Sequence, residues 1–235
     1  MKKVLQVGAL ALCVTFIAQS AQADNRGAFV SLGGGRSSFN TSKYLTPPRG
    51  GLDPRFNTVV DDRRSHAFNL LAGYRWNVAP SLYLGIEGGY VSLGTATAKD
   101  SETIVLPSVP YTNSYQINRR QKVRAGLLGI NVRWELPYHW MLTAHGGAAR
   151  YRTTYAGSLY DTINGVVAEP VHAKFGHDND SYYFGVGVGY DVTAHLGVTV
   201  AYDIFNPQSL KSGGDRRTYE TIRVRALGAN VEYRF

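Results

Sequence analysis

The stretch Leu227-Gly228-Ala229-Asn230-Val231-Glu232-Tyr233-Arg234-Phe235 decides how the rest of the chain is read. With period two, Leu227, Ala229, Val231, Tyr233 and Phe235 share one face, and Gly228, Asn230, Glu232 and Arg234 share the other. Strict alternation of this kind marks a strand with one apolar and one polar side. Most soluble domains leave their last residues loose and polar, yet this strand runs to an aromatic end. That is expected where the last residue sits at a membrane interface and its strand closes a barrel.

The front of the chain agrees. Lys2 and Lys3 precede an apolar run from Val4 to Ala18, and Ala21-Gln22-Ala23 is a small-x-small cleavage site. The pattern predicts a secretory signal peptide over residues 1–23 and a barrel domain over residues 24–235. No later segment supplies the ~18 consecutive apolar residues of a spanning helix. The only cysteine, Cys13, lies inside the signal, which excludes a disulfide-stapled domain, a thiolate metal site and a cysteine enzyme. Mean hydropathy is only -0.20, a soluble-looking value, but each barrel strand dilutes its lipid face with a polar lumen face.

Eight alternating segments follow. They are Gly27–Gly35, His66–Asn77, Ser81–Leu93, Val123–Leu136, His139–Arg150, Ser181–Val192, His195–Phe205 and the terminal strand. The clearest sets Tyr182, Phe184, Val186, Val188, Tyr190 and Val192 against Gly185, Gly187, Gly189 and Asp191. Tight turns at Val78-Ala79-Pro80, Pro137-Tyr138 and Thr193-Ala194 alternate with long polar connections at Arg36–Ser65, Gly94–Lys122, Tyr151–Asp180 and Asn206–Glu220. Short turns at one end and long loops at the other are the design of an all-β, eight-stranded antiparallel transmembrane up-and-down barrel, with short periplasmic turns and long extracellular loops. Strands rising about 3.3 Å per residue at about 45° cross an apolar band of ~25 Å in about 10 residues. Counting that far back from Phe235 reaches Arg225, and from Trp134 reaches Arg124. Trp76, Trp134 and Trp140 all fall beside the tight turns, as a periplasmic aromatic girdle would.

The signal, the eight strands, the loop rhythm and the ending Val231-x-Tyr233-x-Phe235 resemble the small OmpA/OmpX-type outer-membrane β-barrels. The resemblance covers nearly the whole mature chain and implies residence in the cell outer membrane of a Gram-negative envelope. It also implies that the barrel-assembly machinery reads Tyr233 and Phe235 as an assembly signal.

Three groups of residues are candidates for function. The first is a basic collar where loops meet strands: Arg63, Arg64, Arg119, Arg120, Lys122, Arg124, Arg150, Arg152, Arg216, Arg217, Arg223 and Arg225. It faces an outer leaflet of lipopolysaccharide, whose phosphates suit bidentate guanidinium donors; the alternative is generic anchoring to an anionic surface. Export and the spread around a rim argue against nucleic acid as the partner of this basic chain.

The second group has inward parity: Arg75, Glu87, Arg133, His145, Asp191, Asp203 and Glu232, together with Asn131, Glu135 and Arg234. Side chains fill an eight-stranded barrel, so mixed-sign charges there predict a polar plug. A narrow porin-like path for small solutes is the alternative. The third group concerns catalysis, since some lipid A-modifying enzymes share this architecture. Ser65-His66 stands beside Asp61-Asp62, but adjacent strand residues point to opposite faces. His172 and His177 with Asp178 and Asp180 have weak metal-ligand spacing. The sequence therefore favours a non-enzymatic barrel without cofactor or metal. Its tyrosine-rich loops (Tyr44, Tyr111, Tyr115, Tyr155, Tyr160, Tyr219) would meet an extracellular partner of unknown identity or support the envelope.

Overall fold

The computed structural model describes residues 27–40, 57–106, 111–211 and 218–235. The expected signal peptide, Tyr44, Arg216 and Arg217 lie outside them. The strands are β1 (Gly27–Phe39), β2 (Asn57–Asp62), β3 (Arg64–Ala79), β4 (Leu82–Leu106), β5 (Tyr111–Glu135), β6 (Trp140–Ile163), β7 (Val166–Val167), β8 (Val171–Asp191), β9 (Leu196–Phe205), β10 (Gln208–Lys211), β11 (Thr218–Thr221) and β12 (Val224–Arg234). Eight close into an antiparallel ring in the order β1, β3, β4, β5, β6, β8, β9, β12. The terminal strand completes it, pairing with β1 from Phe29↔Arg234 to Phe39↔Val224. The Phe235 amide adds a bond to the Ala28 carbonyl at 3.1 Å.

Closure satisfies every neighbouring strand edge, which is what lets strands sit in lipid. The outward positions carry the apolar set: Leu128 is 69% exposed, Ile130 57% and Ile86 54%. So large an exposed apolar band around a closed barrel marks a membrane surface. Trp76, Trp134 and Trp140 are half-exposed at its lower margin, and Trp140 packs edge-on against Tyr190. Beneath them lie the tight turns, which contain left-handed residues at Ser81 (φ 65), Tyr138 (φ 62) and His139 (φ 65).

At the upper end several strands run beyond the bounds expected from sequence, into the long polar connections. β4 and β5 stay paired as far as Leu106↔Tyr111, and β5 and β6 as far as Asn113↔Ile163. β8 continues beside β6 from Leu159↔Val171. Two of the supposed loops are therefore strand extensions, forming a one-sided wall above the barrel. From Arg124 to Tyr111 the wall adds roughly 30 Å at the rise and tilt used above. Above the membrane the lipid face no longer needs to be apolar, so the alternation stops while backbone pairing goes on.

The third segment ended in the sequence where β4 carries a bulge. The register jumps from Ser92↔Arg124 to Gly94↔Val123. Gly94 takes φ +83 there, a conformation that favours glycine. Ser37 Oγ donates to the Leu93 carbonyl at 2.6 Å, and Ser65 Oγ accepts from the Thr95 amide at 2.9 Å. Those two hydroxyls satisfy backbone groups that the bulge removes from the ladder.

Inside, the barrel has two layers. Its outer half is an apolar core that includes Phe39, Val91, Leu93, Val123, Tyr151, Phe205 and Val224. The segment after β9 folds over this layer: Tyr151 Oη accepts from the Asn206 amide at 3.2 Å and donates to the Tyr182 carbonyl at 2.9 Å. The Ile222 amide reaches the Pro207 carbonyl at 2.8 Å. The periplasmic half of the lumen is polar.

Candidate functional site

Inward alternation on the ring of strands brings the lumenal charges to one level. Arg75 of β3 donates from Nη1 and Nη2 to the two oxygens of Glu232 on β12, each at 2.7 Å. Its Nε donates to Asn131 of β5 at 2.5 Å, and its guanidinium lies 3.9 Å above the centre of the Phe29 ring on β1. Asn131 donates to Glu87 of β4 at 3.0 Å. Glu87 also accepts from Tyr183 of β8 at 2.8 Å and meets His145 Nδ1 of β6 at 2.9 Å. His145 Nε2 faces Asp203 of β9 at 2.9 Å. Arg133 contacts Asp191, Glu232 at 3.4 Å and Glu135 at 3.5 Å. Arg234 reaches Asp191 at 2.8 Å.

This connected set draws on every strand of the ring. Its buried charges are tolerable because each has an opposite partner in a water-poor interior. Both ring nitrogens of His145 face carboxylate oxygens, and only the doubly protonated ring donates to both. In that form Arg75, Arg133, Arg234 and His145 stand among Glu87, Glu135, Glu232, Asp191 and Asp203. A cavity of about 50 Å³ beside the set is bordered by Ser31, Asn69 and Asn230, enough for water and little else.

The basic collar divides. Arg64, Arg120, Lys122, Arg124, Arg150, Arg152, Arg223 and Arg225 are exposed. The Arg119 side chain points away from that of Arg120: it pairs in register with Ala98, which is buried, and so lies on the inner face. Adjacent strand residues alternate in direction, which corrects the grouping of the two. Arg63 sits at the break between β2 and β3, where its carbonyl accepts from the Phe39 amide at 2.9 Å.

The catalytic candidates do not converge. Ser65 Oγ is engaged by the Thr95 amide. His172 meets Ser158 at 2.9 Å on the exposed wall, whereas His177 meets Gln208 at 3.3 Å over the barrel mouth. Among the described residues no group of three or more His, Cys, Asp or Glu could hold a metal ion.

Tyr183 and Arg36 escaped the sequence reading. Tyr183 has inward parity on a strand whose other inward residues are mostly glycine, and that lone bulky residue was the available signal. Arg36 is exposed on β1 opposite Leu227, which places it on the outward face with the collar.

Residues 9–235 match the family model described as the outer membrane protein beta-barrel domain. Among solved structures the chain is similar to Ail, the attachment invasion locus protein of Yersinia pestis, at 14% identity over 88% of this chain and 99% of that one, with a TM-score of 0.40. It is similar to the outer membrane protein OprG of Pseudomonas aeruginosa at 10% identity, covering 91% and 99% of the two chains, with a TM-score of 0.39. The outer membrane protease OmpT of Escherichia coli is 10% identical over 92% and 99%, with a TM-score of 0.40. No curated protein matches the chain in sequence.

Proposed function

This chain belongs to the outer membrane protein beta-barrel family, and from that premise we propose that it is a closed, non-enzymatic barrel whose work is done above the membrane. Residues 1–23 serve as a cleaved export signal, and the barrel-assembly machinery inserts the remainder by reading Tyr233 and Phe235. The wall built from β4, β5, β6 and β8 then meets an extracellular partner or supports the envelope, with its basic rim against lipopolysaccharide.

The observation that carries the reading is the blocked lumen. A polar set tied to every barrel strand fills one half, and an apolar core under the segment after β9 fills the other. An eight-stranded interior is just wide enough for side chains, so little room for a solute path is left. Exposed cations and the paired side chains of the wall, such as Tyr155 stacked on Phe175 at 4.8 Å, offer the chemistry for surface contact.

Solute uptake into proteoliposomes tests the proposal. Vesicles holding the refolded barrel should swell in small sugars no faster than empty vesicles. Swelling that scales with protein content would favour the narrow channel instead. Release of acyl chains from lipid A in mixed micelles would favour the enzyme.

A further inference from the structure

We propose that the outward face of the projecting wall is a phosphate cradle for one lipopolysaccharide head group, formed by Arg120, Lys122 and Arg124 of β5, Arg152 of β6 and Lys174 of β8. The proposal rests on the surface-acting reading above and narrows it from a diffuse rim to one place. These five cations border a single groove of about 1030 Å³, with Thr95, Thr97 and Thr154 among its hydroxyl-bearing borders.

Three observations carry it. Arg120, Lys122 and Arg124 are two residues apart on one strand and so point the same way. Arg124 stands directly opposite Arg152 across the β5–β6 ladder, a like-charge pairing that costs stability unless an anion lies between the two. Arg152 has one carboxylate near it, Asp178 at 3.8 Å, and both side chains are largely exposed. Among the described residues, no carboxylate pairs with Arg120, Lys122, Arg124 or Lys174.

Height selects the occupant. Below Arg124 the same face of β5 carries Leu128, Ile130, Val132 and Trp134, all in the apolar band. The groove therefore begins where that band ends and climbs roughly 9 Å to Arg120. On an outward face at that level the neighbouring molecules are outer-leaflet lipids. Two strand spacings of about 4.8 Å separate β5 from β8, so the cations span a patch the size of one saccharide head group with more than one phosphate. Guanidinium groups suit such phosphates through paired, charge-assisted hydrogen bonds.

The test uses the refolded full barrel in detergent micelles, with rough lipopolysaccharide as probe and the same lipid stripped of its phosphates as control. The triple variant Arg120→Gln, Lys122→Gln, Arg124→Gln is compared with Arg64→Gln, Arg223→Gln, Arg225→Gln elsewhere on the rim. Heat-modifiable gel mobility verifies that each variant is folded, and Lys174→Gln on a separate strand replaces the first triple if it is not. The cradle triple should weaken binding on the order of 100-fold and the other triple by less than about tenfold. Phosphate removal should weaken wild-type binding as strongly as the cradle triple does. Equal losses from the two triples would overturn the cradle while leaving the surface reading intact, as would indifference to phosphate. Failure of the wild type to bind rough lipopolysaccharide at all would overturn the cradle together with the lipopolysaccharide contact of that reading.

Discussion

Arg75 and Glu232 are 157 positions apart in sequence, yet their side chains meet through two parallel hydrogen bonds inside the barrel. The contact joins β3 to the closing strand β12 past the intervening β1, so it forms only once the ring is shut. Glu232 also faces Arg133. Glu232→Ala therefore leaves two buried guanidinium groups short of a partner, and breaking a buried pair from one side costs about 3–5 kcal/mol. Urea titration of the barrel refolded into lipid vesicles should show a loss of that size. A loss below about 1 kcal/mol would mean that the guanidinium groups reach water.

Tyr183 offers a gentler probe. Its hydroxyl donates to Glu87 at 2.8 Å, while its ring stacks on Phe205 with centroids 6.3 Å apart. Tyr183→Phe removes the bond and keeps the packing. Because the acceptor is a carboxylate, the expected cost is about 1.5–3 kcal/mol, read in the same titration. An unchanged midpoint would show that Glu87 is held well enough by Asn131 and His145 alone.

Two glycines should respond in opposite ways. A methyl group at Gly185 would collide with Asp203 and the His145 ring, whereas at Gly126 it would meet nothing within 4 Å. Gly185→Ala must displace the histidine bridge and should cost about 1–3 kcal/mol. Gly126→Ala, on the lipid side, should stay within about 0.5 kcal/mol of wild type. Equal responses would contradict the inward and outward assignment of β5 and β8.

The closing strand carries the export prediction. Tyr233 and Phe235 lie edge to face at 5.0 Å, at the lower rim of the barrel. Deleting Phe235 should lower the heat-modifiable fraction in outer-membrane preparations several-fold while barely altering refolding in detergent. Equal impairment in both settings would make Phe235 a stability residue rather than an assembly signal. Amino-terminal sequencing of the same membrane protein should begin at Asp24.

The membrane-spanning part was legible because lipid and lumen impose opposite demands on alternate residues. Leu227 to Phe235 shows this, as does the run from Tyr182 to Val192, and both strands lie where parity placed them. Above Arg124 that contrast ends. Thr95, Thr97, Lys99 and Asn118 make the outward face polar, and the inward face of β4 offers only the small Ala96 and Ala98, so the large apolar residues that mark a lipid-facing strand are missing. The bulge at Leu93 hid the continuation further, because it reverses parity: Val91 and Leu93 point inward before it, Ala96 and Ala98 after it.

Parity placed the charged members of the lumenal set, though not Tyr183, and it left their pairing open, since the choice of Glu232 for Arg75 depends on tilt and ring closure. The apolar upper layer was overlooked for a different reason. Val123, Ala125 and Leu127 are buried on the same face of β5 as Asn131 and Arg133, but nothing local distinguishes an inward apolar residue from a lipid-facing one.

The closed lumen is tested most directly by single-channel recording. Purified, refolded barrel inserted into planar bilayers should give no unitary currents in molar potassium chloride, across the voltage range that the membrane tolerates. Steady, reproducible unitary steps from the folded, heat-modifiable species would contradict the account, because the paired charges and the apolar layer could not then fill the barrel.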